Sequence, residues 1–311
     1  MRISVAIAAM SLWLLPASAP AQERETTPSG AKFIVQLDLD AFRASRVGSQ
    51  LFEAATQAAM NELGDDEEKL DQVREALGFD PLTEIHGFTL FGSDFDSPED
   101  DLQVVIRMGK TTGNLEGMVL ALPEYESSDY GDHVIHSAQP DDDMQVFAAI
   151  YEDDDGNHSV VAATRRAAVE KMLDTMSEEI SVAPQLAPGA FLSVNILELP
   201  MDQIGDGPQE NIAKLLRQIS LTVSEADENF AIHLSLSTED EQKAEQLRQM
   251  AQGVVAMIGF VQDEGDDDLK MVQELLRGLT VQRDEATITL DLEIPTEKVI
   301  EFLREEADLP L

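Results

Sequence analysis

The chain contains no cysteine, one tryptophan, only 5% aromatic residues, and 21 Lys+Arg against 61 Asp+Glu, a formal net charge of -40. Without cysteine there is no disulfide, no thiol nucleophile, no thiolate metal ligand and no lipidated cysteine. The shortage of basic residues excludes nucleic acid and anionic lipid surfaces as partners, because a polyanion repels phosphate. It leaves cations at the surface as the natural counter-ions and keeps the chain soluble. No apolar run reaches the ~20 residues a transmembrane helix needs, so no membrane-spanning segment is expected in the mature chain. Stability therefore has to come from burial, and a hydrophobic content of 43% argues against wholesale disorder.

The N-terminus reads as an address. Met1 and Arg2 precede an apolar stretch from Ile3 to Leu15, which holds the one tryptophan, Trp13, and then small residues at Ala17, Ser18, Ala19 and Ala21. Ala19-Pro20-Ala21 fits a small-x-small cleavage rule, so residues 1–21 are expected to be a signal peptide cut before Gln22. The mature protein is then exported, to a periplasm or beyond the cell. About 290 residues remain, enough for one large or two ordinary domains.

A polar leader, 22–30, gives way to "KFIVQLDLD", where Phe33, Val35, Leu37 and Leu39 alternate as in a half-buried strand. Asp40 is placed to cap the next helix. Further on, Asp65, Asp66, Glu67 and Glu68 open a helix carrying Leu70, Val73, Ala76 and Leu77, where acids suit the positive end of the macrodipole. A unit of two strands and a hydroxyl-capped helix then recurs four times, with Thr112, Thr164, Thr238 and Thr296 before the helices. "SVAPQLAPGA", with Pro184 and Pro188, separates the second unit from the third, so 181–188 is expected to be a linker between domains 31–180 and 189–311. The expected fold is α+β: two pseudo-repeated halves, antiparallel sheets built from ββα units with helices packed on one face. One continuous sheet shared by both halves is the open alternative. The apolar stretch Gly253 to Val261 should lie between a sheet and another helix near Leu269 to Leu276.

"LDLDAFRASRVGSQLF", "ALGFDPLTEIHGFTLFG" and "HVIHS" together resemble an uncharacterised family of exported proteins of planctomycete-type bacteria. The resemblance covers mainly the first half. It implies a secreted α+β protein and carries no known activity or site residues.

Motifs for catalysis fail on spacing. Gly109-Lys110-Thr111 lacks the glycine that a phosphate-binding loop needs at position 104, where Val104 stands. Neither H-E-x-x-H nor G-x-S-x-G occurs. In "YEDDDGNHSVV" a calcium loop centred on Gly156 would put Tyr151 first and Ala162 twelfth, neither of which supplies a ligating carboxylate. Asp155-Gly156 reads instead as a hairpin turn. Weak Ca²⁺ capture by Asp153 and Asp155, with His158 beside them, is the metal candidate; no other cofactor is implied. Arg165-Arg166 after Thr164 is the one adjacent basic pair and the anion-site candidate, against which stands pairing with nearby carboxylates.

His133 and His136 sit beside Asp141, Asp142 and Asp143, which invites a metal site. "HVIHS" has strand character, however, and residues three apart on a strand face opposite ways. Only a favourable register could bring either ring to His158. His86 and His233, each in an apolar strand, read as structural. The sequence as a whole favours a non-catalytic binding or assembly module with an unidentified protein or small-molecule partner. A metal-assisted hydrolase whose site converges only in three dimensions, and a lipid- or peptide-binding groove, are the alternatives.

Overall fold

The computed structural model describes residues 30–63, 74–75, 78–95, 102–110, 115–120, 122–141, 144–153, 156–177, 186–201, 204, 208–260 and 278–306. The expected signal peptide, Leu70, Val73, Thr112, Asp155, Pro184 and the expected helix at 269–276 lie outside the described residues.

In chain order the first half runs β1 (Phe33–Asp38), α1 (Leu39–Ala44), α2 (Arg46–Leu63), α3 (Pro81–Glu84), β2 (Ile85–Gly92), β3 (Gln103–Met108) and α4 (Leu115–Leu120). It continues with β4 (Glu126–Tyr130), β5 (His133–Asp141), β6 (Met144–Glu152), β7 (His158–Ala163) and α5 (Arg166–Ser177). The second half holds β8 (Ala190–Ile196), α6 (Pro208–Ala213), β9 (Leu216–Ala226), β10 (Asn229–Thr238), α7 (Glu241–Phe260), β11 (Leu279–Asp284), β12 (Thr287–Pro295) and α8 (Thr296–Glu306). The class is α+β, and the sheets expected of the two halves are one 12-stranded sheet in the order β11-β12-β10-β9-β8-β1-β2-β3-β7-β6-β5-β4. Its seam is the antiparallel pair β1–β8, from Phe33 opposite Ile196 to Leu37 opposite Leu192.

Side chains cap the helices where the sequence shortens a strand. The Asp38 carboxylate accepts from the Ala41 backbone N–H at 2.9 Å, so β1 stops there and α1 begins at Leu39, with the cap two residues before the expected Asp40. Asp240, rather than Thr238, caps α7 through the Lys243 N–H at 2.8 Å. The Thr238 hydroxyl instead donates to the Ala286 carbonyl at 2.8 Å and ties β10 to the β11–β12 turn.

Directly opposed residues of a ladder share a face, so register carries a face across the whole sheet. On the first face Ile34, Phe91, Val105, Val161, Ala149 and Ile135 form a buried cluster with Val169, Met172 and Leu173 of α5. Helical spacing brings those three to one stripe. On the opposite face of the second half, Leu234, Leu236, Ile288, Leu290 and Leu292 pack on Ala244, Leu247 and Ala251 of α7. Helices therefore lie on both faces of the sheet, not on one as expected. The cause is a change in patterning: β1, β3 and β7 are apolar on both faces, whereas β9, β10 and β12 alternate strictly, as in "HLSLST" and "TITLDLEIP".

The β9–β10 turn places Asp227 at φ 50° and Glu228 at φ 66°, the left-handed conformation that a tight hairpin demands at both central residues. Glu228 has a Cβ that disfavours it. Glu228→Gly is expected to raise stability by about 1 kcal/mol in a urea melt, leaving the residue 228 carbonyl free to accept from Thr296 as before.

Candidate functional site

Strict alternation in β9, β10 and β12 sends one set of side chains to the α7 core and the other set to the first face, where they form a polar track. Register aligns them in rows across the strands. One row runs Thr280, Asp291, His233, Thr222, Ser193, Gln36 and Thr89 from the edge strand β11 to β2. A second runs Gln282, Thr289, Ser235, Ser220 and Asn195, and meets the apolar Ile34. Neighbouring strands lie ~4.8 Å apart, and the rows, two residues apart, are separated by ~7 Å. The side chains bond within and between the rows: Ser220 donates to Asn195 Oδ1 at 2.7 Å along the second row, and Asn195 donates to the Ser193 hydroxyl at 2.9 Å from the second row to the first. Thr280 and Gln282 are exposed, Thr222, Ser220, Ser235 and Thr289 are half-buried, and Ser193, Gln36 and Thr89 are buried.

Asp291 is the one acid in these rows and is 0% exposed. Its Oδ2 accepts from the Thr280 hydroxyl at 3.1 Å and from the Gln282 amide at 3.3 Å. Its Oδ1 lies 3.8 Å from Nδ1 of His233, its direct partner across the β10–β12 ladder, which is too long for a hydrogen bond. Neither that oxygen nor that ring nitrogen has a hydrogen-bond partner among the described residues, and both are buried. Burial raises the Asp291 carboxyl to about 6, the Thr280 hydrogen bond opposing it and the Glu293 charge adding to it. Burial also lowers His233 below its ordinary value. Two neighbouring groups are thus pushed toward one another on the pH scale.

The residues singled out from sequence lie elsewhere. Asp153 closes the β6–β7 turn: Oδ1 accepts from the Asn157 N–H at 2.8 Å, Oδ2 accepts from the Asn157 side chain at 3.0 Å, and Gly156 takes φ 79°. Both oxygens are engaged within the turn. Asp155 lies outside the described residues, and His158 stands 3.8 Å from Glu152. Among the described residues no group of three His, Asp or Glu side chains is placed to hold a metal. Arg166 opens α5 and donates to Glu170 at 2.7 Å and to the Ser128 hydroxyl. Thr164 precedes α5 and Arg165 is exposed. Arg166 is therefore spent on a carboxylate one helical turn away, the pairing weighed against an anion site.

His133 and His136 do face opposite ways. His133 lies beside Tyr151, with ring centroids 5.8 Å apart, whereas His136 is buried on the other face and bonded at 2.9 Å to the Tyr125 hydroxyl. His136 aligns through Ala148 with Ala162, four residues along β7 from His158. They share a face but stand about 13 Å apart along the strand and two strands apart across it. They do not meet. His86, read as a structural strand residue, has a partner for its ring: Nδ1 lies 2.7 Å from Asp40 Oδ2, beside an Asp40–Arg43 pair and an Arg107–Asp38 pair, both at 3.0 Å. In this half-exposed cluster Arg43 and Arg107 each sit on an acid.

No family model matches the chain, and no curated protein matches it. Among solved structures, crystal form III of TP0453 aligns with a TM-score of 0.40 at 7% identity, covering 88% of this chain and 94% of that one. Crystal form I of TP0453 aligns with a TM-score of 0.40 at 11% identity, covering 88% and 93%. Likeness at that level says nothing about ligand or activity.

Proposed function

We propose that the chain is an exported, acidic binding module that holds a neutral, hydroxyl-rich ligand along the polar track of β8–β12 and does not transform it. The observation that supports this reading is the composition of the aligned rows. They present hydroxyls, amides and one imidazole at regular intervals, with one acid and no Lys, Arg or Glu. Where this chain meets solvent it uses carboxylates, as in the exposed edge strand "ESSDY". A row of small neutral donors and acceptors suits a ligand of matching polarity, since each group left unpaired on binding costs about 1–3 kcal/mol.

The two halves also read as repeats. Outward from the seam the strands run β1-β2-β3-β7-β6 on one side and β8-β9-β10-β12-β11 on the other, with the β4–β5 hairpin as an addition to the first. That common order supports two domains, 31–180 and 189–311, joined edge to edge.

A thermal-shift series with neutral glucan and N-acetylglucosamine oligomers, with a sulfated polysaccharide and polylysine as contrasts, tests the binding reading. A neutral oligomer is expected to raise Tm with no new product by chromatography, since a ligand at 100 times its Kd adds about 2.7 kcal/mol. Product formation would establish an enzyme; a shift with polylysine alone would move binding to the acidic surface.

The second face of the first half offers a different surface. Leu37, Phe88, Ile106, Val160 and Ile150 form a half-buried apolar row across β1, β2, β3, β7 and β6. This row supports the apolar-ligand alternative, and mass spectrometry of an organic extract of the purified protein tests it: a stoichiometric lipid favours it.

A further inference from the structure

The polar track holds a feature that ligand binding alone leaves unexplained: a carboxyl oxygen and a ring nitrogen, both buried, facing each other across 3.8 Å with no partner among the described residues. A buried acceptor without a donor loses its hydration and gains no bond in return, so its persistence needs a cause. We propose that His233 and Asp291 form a proton site at the end of the track, where one proton taken from solvent is shared between Nδ1 and Oδ1, and that its loss loosens β11 and β12. This proton site rests on the geometry of the pair and goes beyond the binding reading.

The proton balance is simple. With one proton between them, either as imidazolium beside carboxylate or imidazole beside carboxylic acid, the pair is neutral and donor meets acceptor. Without it, a single negative charge stays buried and two lone pairs can face each other. A shift of less than 1 Å from the observed 3.8 Å reaches hydrogen-bond distance. The surroundings do little to offset the charge. β11 offers only the neutral Thr280 and Gln282, and β9 offers Thr222. On β12 itself, Glu293 faces the same way and opposes ionisation. The helix α7 packs on the opposite face, where Glu245 holds Arg248 at 2.6 Å and Arg283 at 3.5 Å. The helix α8 continues from β12 with Glu297, Lys298 and Glu301, and its Glu297 is held by Arg46 at 2.6 Å.

Position makes the pair consequential. Asp291 bonds two residues of β11, the outermost strand, so whatever weakens Asp291 weakens the edge. The opened segment exposes Asp291, which there titrates as an ordinary carboxyl near 3.8, against about 6 when buried. Opening therefore releases a proton between those values, and its equilibrium constant should grow up to tenfold per pH unit.

Hydrogen exchange over residues 279–295, corrected for intrinsic rate and followed from pH 4 to 6.5, tests this. The wild type is expected to show an opening constant that rises roughly 100-fold and then levels, whereas in Asp291→Asn that rise is absent. In Asp291→Asn the burial-lowered His233 still acts, so its opening constant falls or holds as pH rises and never climbs. In parallel, the Asp291 side-chain carbon and the His233 ring of the wild type, followed by NMR, should move together through one midpoint. Asp291→Asn retains shape and loses the buried charge, so it folds and remains informative. An opening constant that rises equally in both proteins, or an Asp291 carbon that titrates near 4, overturns the proposal.

Discussion

Asp291→Asn is expected to stabilise the protein by up to about 3 kcal/mol at pH 8 and by almost nothing at pH 4. The folded carboxyl sits at about 6 against an ordinary 3.8, a difference of about two pKa units, and each unit corresponds to about 1.4 kcal/mol. The sign comes from the raised value: the folded state binds the proton more tightly, so the contribution is fully present below about pH 4 and lost as pH rises through about 6. Asparagine has no proton to lose. Its carbonyl can still accept from Thr280 and Gln282, while its amide can donate to the His233 ring nitrogen that now has no donor. His233 acts the other way, because its lowered value gives stability that is present above 6.5 and lost as pH falls through the folded value. The variant should therefore show a profile that only declines toward acid. Urea titrations at pH 4, 6 and 8 measure both effects. Equal stability of the two proteins at pH 8 would show that the carboxylate is not buried at a cost. A stabilising substitution at a polar site is also what a function-bearing residue predicts.

Phe91→Ala is the second large effect. The ring is 0% exposed at the centre of the first-face core, and truncating a buried Phe costs about 3–5 kcal/mol through lost burial and the cavity left behind. Phe91 lies two strands from β8, and β1, which stands between, is hydrogen-bonded to both. One continuous sheet couples the halves, so the loss should appear as a single cooperative transition shifted to lower temperature, with α7 melting alongside α5. Two transitions, with the second half unmoved, would mean that the seam transmits little.

Alternation makes much of the second half legible. "ISLTVSE", "HLSLST" and "TITLDLEIP" each declare a strand with one polar and one apolar face. What they cannot declare is register, and the track exists only through register: nothing in the sequence puts His233 opposite Asp291. The first half misleads in the opposite way. Phe33, Val35 and Leu37 alternate as though they formed the buried face, yet Ile34 between them is the fully buried residue, because a central strand is covered on both sides. β4 escapes notice because "ESSDY" has no apolar alternation. Its signal is Gly131-Asp132, with Gly131 at φ 58°, turning the chain straight into β5. The Asp153 turn is readable because Asp, Gly and Asn at those spacings bond their own backbone.

The proposed binding surface is the polar track, and not the acidic surface or the apolar row. Thr222 stands in the middle of it, between Ser193 and His233, and points away from the α7 core. Calorimetric titration of a neutral oligomer that shifts the wild-type Tm into Thr222→Lys is the most direct measurement, because a lysine there puts a long charged chain across both rows. Binding weakened at least tenfold, with an unchanged urea midpoint, is the predicted result; wild-type affinity in the variant would contradict it.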